Sequence, residues 1–346
     1  MAKTKRPGPK SPVITLKGVA QHVGLAPGTV SAVLNDSPAA RAIPQGTKNR
    51  IHAAAKELNY RPNFFARTLR NKRTYTIGVI TEEIGDSYGS MVISGIEAYL
   101  RKMDYFFLTV VHRHDEHLLS QYSQLLLQRG VEGFIMVDTT AYEAPSLPTV
   151  AVAGHKKVKG VTNIVLDHVR AATLALNHLA DLGHERIAFM KGHPLSSDSQ
   201  DRWEAISGVA LRIGLRIDPD LTVQIDLDDP TPQLGYPFAK QLLARNKPFT
   251  ALFAYNDISA IGAIRALQEQ GLRVPQDVSV MGFDDIPSAA FNTPSLTTVR
   301  QPLARMGQVA AQILLERITG RHDYPSEIAI EPELVVREST ARAPRV

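Results

Sequence analysis

The stretch TLKGVAQHVGLAPGTVSAVLN, residues 15–35, predicts two short helices that pack against each other. Apolar residues recur three and four positions apart within residues 16–22 and again within residues 27–34, which is the spacing of one helix face. Gly24 supplies the turn between them, and Pro27 suits the first turn of a helix, where a missing N–H breaks no hydrogen bond. This arrangement is typical of a helix-turn-helix that lays its second helix in the major groove of DNA. The alternative is an αα-hairpin packed on a larger domain.

The charge of the chain is divided unevenly along its length. Residues 1–73 hold 14 Lys and Arg against only two acidic residues, Asp36 and Glu57, which gives +12. The other 25 basic and 32 acidic residues give residues 74–346 a charge of −7, so that the whole chain carries +5. A solvated surface does not require such an uneven division of charge, whereas the binding of a polyanionic partner by residues 1–73 does. The charge pattern therefore favours DNA binding by the N-terminal fifth of the chain.

Length and composition restrict the class of protein. A chain of 346 residues with 44% hydrophobic residues can bury two or more cores. It contains no cysteine, which excludes disulfides and thiolate metal sites and fits a reducing compartment. No apolar run is long enough to cross a membrane, and the basic residues 1–14, for which we expect disorder, are not followed by the apolar segment of a signal peptide. We therefore expect a cytoplasmic protein.

A third helix and a short linker follow the helix-turn-helix. Residues 47–59 carry apolar residues on one face, and Thr47 is a candidate N-cap. Asn63 is a candidate cap for a short helix over residues 64–69. Because such a short helix is unstable alone, it would form only when a neighbour holds it, as a coupling element does. The predicted boundaries are residues 15–60 for the DNA-binding domain and residues 61–73 for a hinge helix and linker.

From residue 74 onward, short apolar runs alternate with helical patterns, which is typical of parallel sheets with crossover helices. The number of strands indicates two subdomains rather than one sheet, so the predicted fold class is α/β, with doubly wound parallel sheets behind a helix-turn-helix headpiece. The predicted strands are residues 76–80, 105–111, 133–137, 149–153, 186–190, 251–255 and 278–283. The predicted helices are residues 91–102, 118–129, 169–182, 202–213, 237–245, 258–270 and 303–318.

These segments, in this order, resemble the LacI-type family of bacterial transcriptional regulators, which includes the lactose, galactose and purine repressors. The resemblance runs from about Thr15 to Glu338 and rests on LKGVAQHVG, TVSAVLN, YRPNFFARTL, TIGVI, YNDISAIGAIRAL, GLRVPQDVSVMGFDDI and PSLTTVRQPLARMG. It implies a DNA-binding headpiece, a hinge helix and a core of the periplasmic-binding-protein type over residues 74–346. The chain of such a core crosses between its two subdomains three times, here near residues 167, 297 and 328.

The resemblance also implies which residues contact DNA. Thr29 and Ser31 match positions that touch DNA, and Asn35 matches a contact with the DNA backbone. Leu69 matches a leucine that is wedged into the minor groove, where a bent duplex repays the cost of unstacking; the alternative is a buried interdomain contact. Ala32 stands where many relatives place a base-reading Arg, so the operator of a relative cannot be carried over. The candidate DNA contacts are Thr15, Pro27, Gly28, Thr29, Ser31, Ala32, Asn35, Asn63, Arg67 and Leu69.

Polar residues follow several of the predicted strands, and doubly wound sheets bind ligands at the carboxyl ends of their strands. The resemblance implies that Arg202, Asn256 and Asp284 form hydrogen bonds with the hydroxyls of a ligand and that the Tyr88 ring covers its apolar face. One arginine among carboxylates and an amide suits a neutral polyol, such as a sugar or a nucleoside, better than a phosphate. The candidate effector contacts are Asp86, Ser87, Tyr88, Asp138, Asp198, Arg202, Asn256 and Asp284.

Several residues near these strand ends have structural alternatives. Asp257 follows a strand and opens a helix, so an N-cap is favoured over a ligand contact. Asp285 is a further candidate cap, and Arg202 could instead form a surface ion pair. For Trp203, the single tryptophan, packing is favoured over stacking on a ligand.

No nucleotide- or phosphate-binding motif favours an enzyme, because the chain lacks GxGxxG and GxxxxGK[ST]. His112, His114 and His117 have metal-like spacing, but solvated histidines are the more frequent explanation, so neither a metal nor a cofactor is expected. A periplasmic-type sugar receptor would share the core but not the basic headpiece. The prediction is a transcriptional regulator, a repressor, that binds a pseudo-palindromic operator as a homodimer. A small ligand switches its affinity, and the resemblance leaves both induction and co-repression open.

Overall fold

The computed structural model describes residues 14–60, 73–140, 146–154, 156–196, 198–227, 229–321 and 323–344. The chain divides into two compact units, a headpiece within residues 1–73 and a core within residues 74–346. Three candidate DNA contacts, the short helix predicted over residues 64–69 and the basic tail lie outside the described residues. Those three contacts are Asn63, Arg67 and Leu69.

The described part of the headpiece contains α1 (Leu16–Val23), α2 (Pro27–Leu34) and α3 (Gln45–Glu57), with a 3₁₀ turn at Pro38–Ala42. The first two helices and their turn are confirmed. Gly24 has a left-handed φ of 67°, and the Thr15 hydroxyl accepts a hydrogen bond from the Gly18 N–H over 3.3 Å at the start of α1. The prediction of Thr47 as the cap of α3 is wrong, because the helix starts directly after Pro44 and Thr47 lies in its first turn.

The core of the headpiece combines apolar residues from all three of these helices. Their spacing of three and four positions turns one face of each helix inward, as the sequence pattern indicates. Full burial of each valine or isoleucine stabilises the fold by about 1.5–3 kcal/mol. The buried residues are Val19, Ala20, Val23, Val30, Val33, Ile51 and Ala54.

Two six-stranded sheets organise the described part of the core unit. The first has the order β11-β5-β4-β3-β1-β2 and is parallel throughout. The second has the order β12-β10-β9-β8-β6-β7, with only β12 antiparallel. The strands are β1 (Thr76–Thr81), β2 (Phe106–Val111), β3 (Phe134–Val137), β4 (Thr149–Val152), β5 (Val161–Leu166), β6 (Ile187–Lys191), β7 (Thr222–Gln224), β8 (Ala251–Phe253), β9 (Ser279–Asp284), β10 (Thr297–Arg300), β11 (Glu327–Ile330) and β12 (Glu333–Val335). The predicted α/β class with two parallel-sheet subdomains is confirmed.

The seven predicted core helices are all present, with ends that differ by a few residues. An eighth, short helix, α10, was not predicted. The core helices are α4 (Ser87–Lys102), α5 (Glu116–Gln128), α6 (His168–Asp181), α7 (Ser199–Arg212), α8 (Tyr236–Ala244), α9 (Asp257–Glu269), α10 (Pro287–Phe291) and α11 (Leu303–Ile318). Helices α4 and α11 pack closely because Gly95 and Gly307 have no side chain: a Cβ at Gly95 would overlap the Ala304 carbonyl, and one at Gly307 the Val92 carbonyl.

The chain crosses between the two sheets three times. The first crossing lies at Asp167, between β5 and α6, where the sequence places it. The second lies at residues 301–302 and the third at residues 331–332. Both are a few residues later than predicted, because Thr297 begins β10 and Ile328 lies within β11. The three crossings together form the connection about which the two subdomains can move.

Candidate DNA-binding surface and ligand cleft

One face of α2 carries small and accessible residues. Val30 and Val33 are buried against α1 and α3, which leaves Pro27 and Gly28 exposed on another face. A Cβ at Gly28 would meet no atom within 4 Å, so nothing in the headpiece crowds this end of the helix. The candidate residues Thr29, Ser31 and Ala32 are half-buried on the same helix. A helix with such short side chains can approach the edges of bases closely.

Two of the candidate DNA contacts also have a structural role in the headpiece. Thr15 is the N-cap of α1. The Asn35 side-chain amide donates to the Ser31 carbonyl over 2.8 Å and to the Ser31 hydroxyl over 3.3 Å, at the end of α2. These bonds fix the backbone at the C-terminal end of α2, and the Asn35 side-chain oxygen can still act as an acceptor.

A cavity of about 610 Å³ lies between the carboxyl ends of the two sheets. Seven of the eight candidate effector contacts line it, and they follow five different strands, as the strand-end rule predicts. Ser87 does not line the cavity, although it was predicted to do so, because it is the first residue of α4 and only its neighbours face the cleft. The seven that line it are Asp86, Tyr88, Asp138, Asp198, Arg202, Asn256 and Asp284.

Arg202 is the most constrained of these residues. It is only 5% exposed and forms an ion pair with Asp198, the N-cap residue of α7, and its Nη1 donates to the Tyr255 carbonyl over 2.6 Å. Its guanidinium also lies 3.9 Å from the ring centroid of Phe283. Burial is the largest single effect and opposes the charge, but Asp198, Tyr255 and Asp284 together outweigh it, so the pKa of Arg202 is raised. The alternative of a surface ion pair is wrong, because both partners are buried. The other oxygen of Asp198 lies 2.8 Å from His168 Nε2.

Asp284 is a buried carboxyl group at the end of β9. Burial raises its pKa well above the usual value, and the nearby Arg202 only partly opposes this effect. Gln301, which the sequence reasoning missed, donates to it over 2.7 Å from the second crossing. The backbone of Asp284 has a φ of 108°, a strained value for a residue other than glycine. Burial therefore favours the protonated form of Asp284, which can donate a hydrogen bond as well as accept one.

Asp86 and Tyr88 begin α4 on the opposite side of the cleft. Asp86 caps the helix by accepting from the Gly89 N–H over 2.8 Å, and its pKa is raised to about 6 by burial and by the nearby charges of Asp138 and Glu83. The Tyr88 hydroxyl is buried and has no hydrogen-bond partner among the described residues. Burial raises the pKa of Tyr88 too, so it is a neutral phenol facing the cleft.

Asn256, and not Asp257, caps α9. Its side chain accepts from the Ser259 N–H over 2.9 Å, while its own N–H donates to the Ser259 hydroxyl over 3.1 Å. The prediction of Asp257 as the cap is wrong, since Asp257 is buried behind the cleft and accepts from Thr298 and from the Ile286 N–H. Burial raises its pKa to about 7. The capping bond occupies the Asn256 oxygen, and its Nδ2 remains a donor.

Two further alternatives from the sequence are decided by the structure. Asp285 is not a cap but an ion-pair partner of Arg300, over 2.7 Å, and of Arg337, over 2.6 Å. Trp203 packs edge-on against Phe189 with ring centroids 5.9 Å apart, which confirms the packing role.

The histidines that follow β2 are less solvated than expected. His112 is buried against the Thr139 hydroxyl, at 2.9 Å, and burial lowers its pKa to about 4. His114 lies 2.8 Å from a Glu82 carboxylate oxygen and stacks on His193, which belongs to the other subdomain, with centroids 5.0 Å apart. Only His117 is exposed. Within the described ranges no group of three or more His, Asp or Glu side chains could hold a metal ion.

The sequence reasoning missed about half of the polar residues in the cleft. Each of them follows a strand, so the same rule that located Asp138 could have found them. They were missed because a polar residue after a strand is usually a turn residue. The polar residues that line the cleft are distinguished from turn residues only by their contacts across the cleft. The missed polar residues are Glu82, Glu83, Arg113, His114, His193, Ser196, Asp229 and Tyr255.

Known proteins match both units of the chain. The family profile described as "Bacterial regulatory proteins, lacI family" matches residues 15–63, and that described as "Periplasmic binding protein-like domain" matches residues 176–340. The HTH-type transcriptional repressor PurR of Haemophilus influenzae is 33% identical over 337 residues, which cover 94% of this chain and 98% of that protein.

Solved structures with the same fold cover almost the whole chain. A crystal structure of the lac repressor dimer bound to operator and an anti-inducer superposes with a TM-score of 0.83 at 26% identity, over 95% of this chain and 99% of that chain. The complex of the transcriptional regulator CelR with cellobiose superposes with a TM-score of 0.68 at 27% identity, over 94% and 99%. Among the residues described here, no helix is long and apolar enough to cross a membrane.

Proposed function

Because this chain belongs to the LacI family of bacterial regulatory proteins, we propose that its cleft binds a sugar or a related polyol, which changes the affinity of the chain for its operator. Membership of the family makes the chain a DNA-binding transcriptional regulator with a ligand-binding core, and not an enzyme. The alternative of a periplasmic-type receptor without DNA activity is wrong, because the lacI-family profile covers residues 15–63. The chain acts in the cytoplasm, where its operator DNA lies.

The observation that carries the choice of ligand is the pairing of the arginine in the cleft. Arg202 is neutralised by Asp198 and bonded to the Tyr255 carbonyl before any ligand binds. A phosphate would bring further negative charge into a cavity that is lined by carboxylates, and the low dielectric of a buried site increases that cost. Neutral hydroxyls avoid the cost and still satisfy polar groups. The related regulator CelR forms a complex with a sugar, cellobiose.

The ligand hydroxyls have matched partners on both sides of the cleft. The Asn256 Nδ2 supplies a donor from the second sheet, and Asp284 supplies an acceptor and, in the protonated form that burial favours, a donor. The Tyr88 hydroxyl, which has no hydrogen-bond partner among the described residues, supplies a donor or an acceptor from the other side. A polyol that bonds to both sides at once holds the two subdomains together.

The contacts behind the cleft connect the ligand to the crossings. Asp198 pairs with Arg202 and with His168, the residue directly after the first crossing at Asp167. Asp284 is bonded to Gln301, which lies at the second crossing. Closure of the cleft would therefore rotate one subdomain relative to the other about these residues, and this movement would either permit or melt the predicted hinge helices.

On the DNA side, α2 enters the major groove and presents Thr29 and Ser31, and Leu69 wedges into the minor groove at the centre of the operator. The chain acts as a homodimeric repressor, and its two-fold symmetry requires a pseudo-palindromic operator. The lac repressor that superposes on this chain is a dimer bound to operator.

A thermal-shift screen of the full chain against sugars, nucleosides and sugar phosphates tests the ligand class. A ligand that binds only the folded state raises the melting temperature by mass action. We expect a neutral sugar to raise it, and Arg202→Ala to abolish the shift while the separate headpiece still binds DNA. The control Arg212→Ala removes an exposed arginine from the same helix and should leave the shift unchanged. A shift with sugar phosphates alone would refute the proposal.

A further inference from the structure

The cleft carries a strong excess of negative charge. Its described lining has seven carboxylates and only two arginines, Arg113 and Arg202, together with two histidines. Both arginines are already paired, Arg202 with Asp198 and Arg113 with Glu83 over 3.3 Å. The seven carboxylates belong to Glu82, Glu83, Asp86, Asp138, Asp198, Asp229 and Asp284.

Three of these carboxylates have no cationic partner among the described residues. Asp229 accepts only from Thr231, and Asp284 accepts from the neutral Gln301. Asp86 uses one oxygen for the Gly89 N–H. Burial favours the protonated form of Asp284, whereas Asp86, with a pKa of about 6, is mostly charged at neutral pH. A desolvated carboxylate without a cation is costly, and a cation bound beside Asp86 would remove that cost.

Two buried donors in the cavity wall also lack a hydrogen-bond partner within the part of the chain that the structure describes. The Tyr88 hydroxyl is fully buried, and the Nε of Arg202, a side chain that is 5% exposed, is unpartnered as well. Asp86 and Tyr88 follow β1, Asp138 follows β3, which is a neighbour of β1 in the first sheet, and all three line the cavity. Asp86, Asp138 and Tyr88 therefore form one group of three acceptors on the same side of the cavity, which matches the three donors of an ammonium group.

We propose that the ligand is a polyol bearing a protonated amine, an amino sugar, whose ammonium group binds between Asp86, Asp138 and Tyr88. The hydroxyls of this ligand bind Asn256, Asp284 and the Arg202 Nε on the opposite side. This inference rests on the proposed binding of a polyol in the cleft and specifies its chemical class.

Isothermal titration calorimetry of the full chain at pH 7.5 tests the inference with matched sets of probes. Each set contains an amino sugar, its hydroxyl parent and its N-acetyl derivative, in the gluco, galacto and manno series. In at least one series the amino sugar should bind about tenfold or more tightly than both neutral members, as expected for a close buried charge pair.

The variant Asp86→Asn isolates the charge, because asparagine caps a helix as well as aspartate and keeps the shape of the side chain. It should bring the ratio of amine to parent affinity close to one. Asp226→Asn, which removes an exposed carboxylate next to the lining residues Ile225 and Leu227, should leave the ratio unchanged.

The outcomes separate the two proposals. If a neutral parent binds as tightly as its amine, or if Asp86→Asn keeps the preference, the amine inference is wrong and the polyol proposal stands. If no member of any series binds, the amine inference is wrong, and if the chain then binds only sugar phosphates, the polyol proposal fails with it.

Discussion

The ion pair between Asp198 and Arg202 predicts a large loss of stability when one partner is removed. Both side chains are about 95% buried, with exposures of 4% and 5%. Asp198→Ala leaves the guanidinium buried without its counter-charge and also removes the partner of His168. Breaking a buried pair in this way costs about 3–5 kcal/mol.

The helix α4 offers a matched control. Glu97 and Arg101 form an ion pair with the same spacing and order as Asp198 and Arg202, over 2.8 Å, but their side chains are 42% and 74% exposed. Glu97→Ala should therefore cost no more than about 0.5 kcal/mol. The two pairs share their spacing of four residues and differ in burial and in the additional contact between Asp198 and His168.

Urea denaturation of the full chain, followed by the fluorescence of Trp203, measures both variants. Trp203 is the only tryptophan and packs in the core beside Arg202, so its signal reports unfolding of this subdomain. If the denaturant slope is about 3 kcal/mol per molar, the loss of about 3–5 kcal/mol in Asp198→Ala should lower the midpoint by about 1–1.7 M. A loss below about 1 kcal/mol, or an equal loss in Glu97→Ala, would refute the account of the arginine as a buried and neutralised cation.

Three further predictions follow from the structure and the sequence. Thr15→Ala should destabilise the headpiece by about 1 kcal/mol, because it removes the acceptor of the Gly18 N–H; native-state hydrogen exchange of the α1 amides measures this, and unchanged rates would rule out the cap. Asp86 binds its proton more tightly in the folded than in the unfolded chain, so its contribution to the free energy of unfolding is fully present below its unfolded pKa and is lost as the pH rises to about 6 and above. Relative to the unmodified chain, the free energy of unfolding of Asp86→Asn should therefore increase by about 2–3 kcal/mol as the pH rises from 4 to 7. A difference between the two proteins that does not change with pH would contradict the burial of this group. Leu69→Ala should weaken binding to the operator far more than binding to random duplex DNA, and equal losses on both in a gel-shift titration would exclude the wedge.

Local patterns explain why the headpiece and most core elements were predictable. The spacing of Val19, Val23, Val30 and Val33 identifies two helix faces without any knowledge of their partners. Apolar runs such as TIGVI, in β1, form strands that are buried on both faces of a parallel sheet, so the run itself identifies the strand without any knowledge of its neighbours.

Three of the five missed strands, β7, β11 and β12, lack this signal, whereas β5 is buried along its whole length and was missed all the same. In β11, which is an edge strand, residues 327–330 alternate between exposed and half-buried, and β7 and β12 have only three residues each. Such short or half-exposed segments are identified by their pairing with a neighbouring strand, which is a non-local property. The crossing positions were displaced for the same reason.

The cleft shows a similar division. The strand-end rule finds Asp138 and Asp284 from local pattern alone. It does not predict that His114 and His193 stack, because these residues lie far apart in the chain and meet only across two subdomains. Nor does it distinguish Asn256 from Asp257 as the cap of α9, since both types cap helices and the choice depends on the residue at which the helix begins.

The most direct test of the central claim is the operator affinity of the chain with and without its cleft ligand. A duplex selected by the protein from a random library serves as the operator, and fluorescence anisotropy gives its Kd at a saturating concentration of the polyol found in the screen. The account predicts a change in Kd of about tenfold or more, which corresponds to a coupling of about 1.4 kcal/mol, and no change in Arg202→Ala. An unaltered Kd in the unmodified chain, with the cleft shown to be occupied by calorimetry, would contradict it.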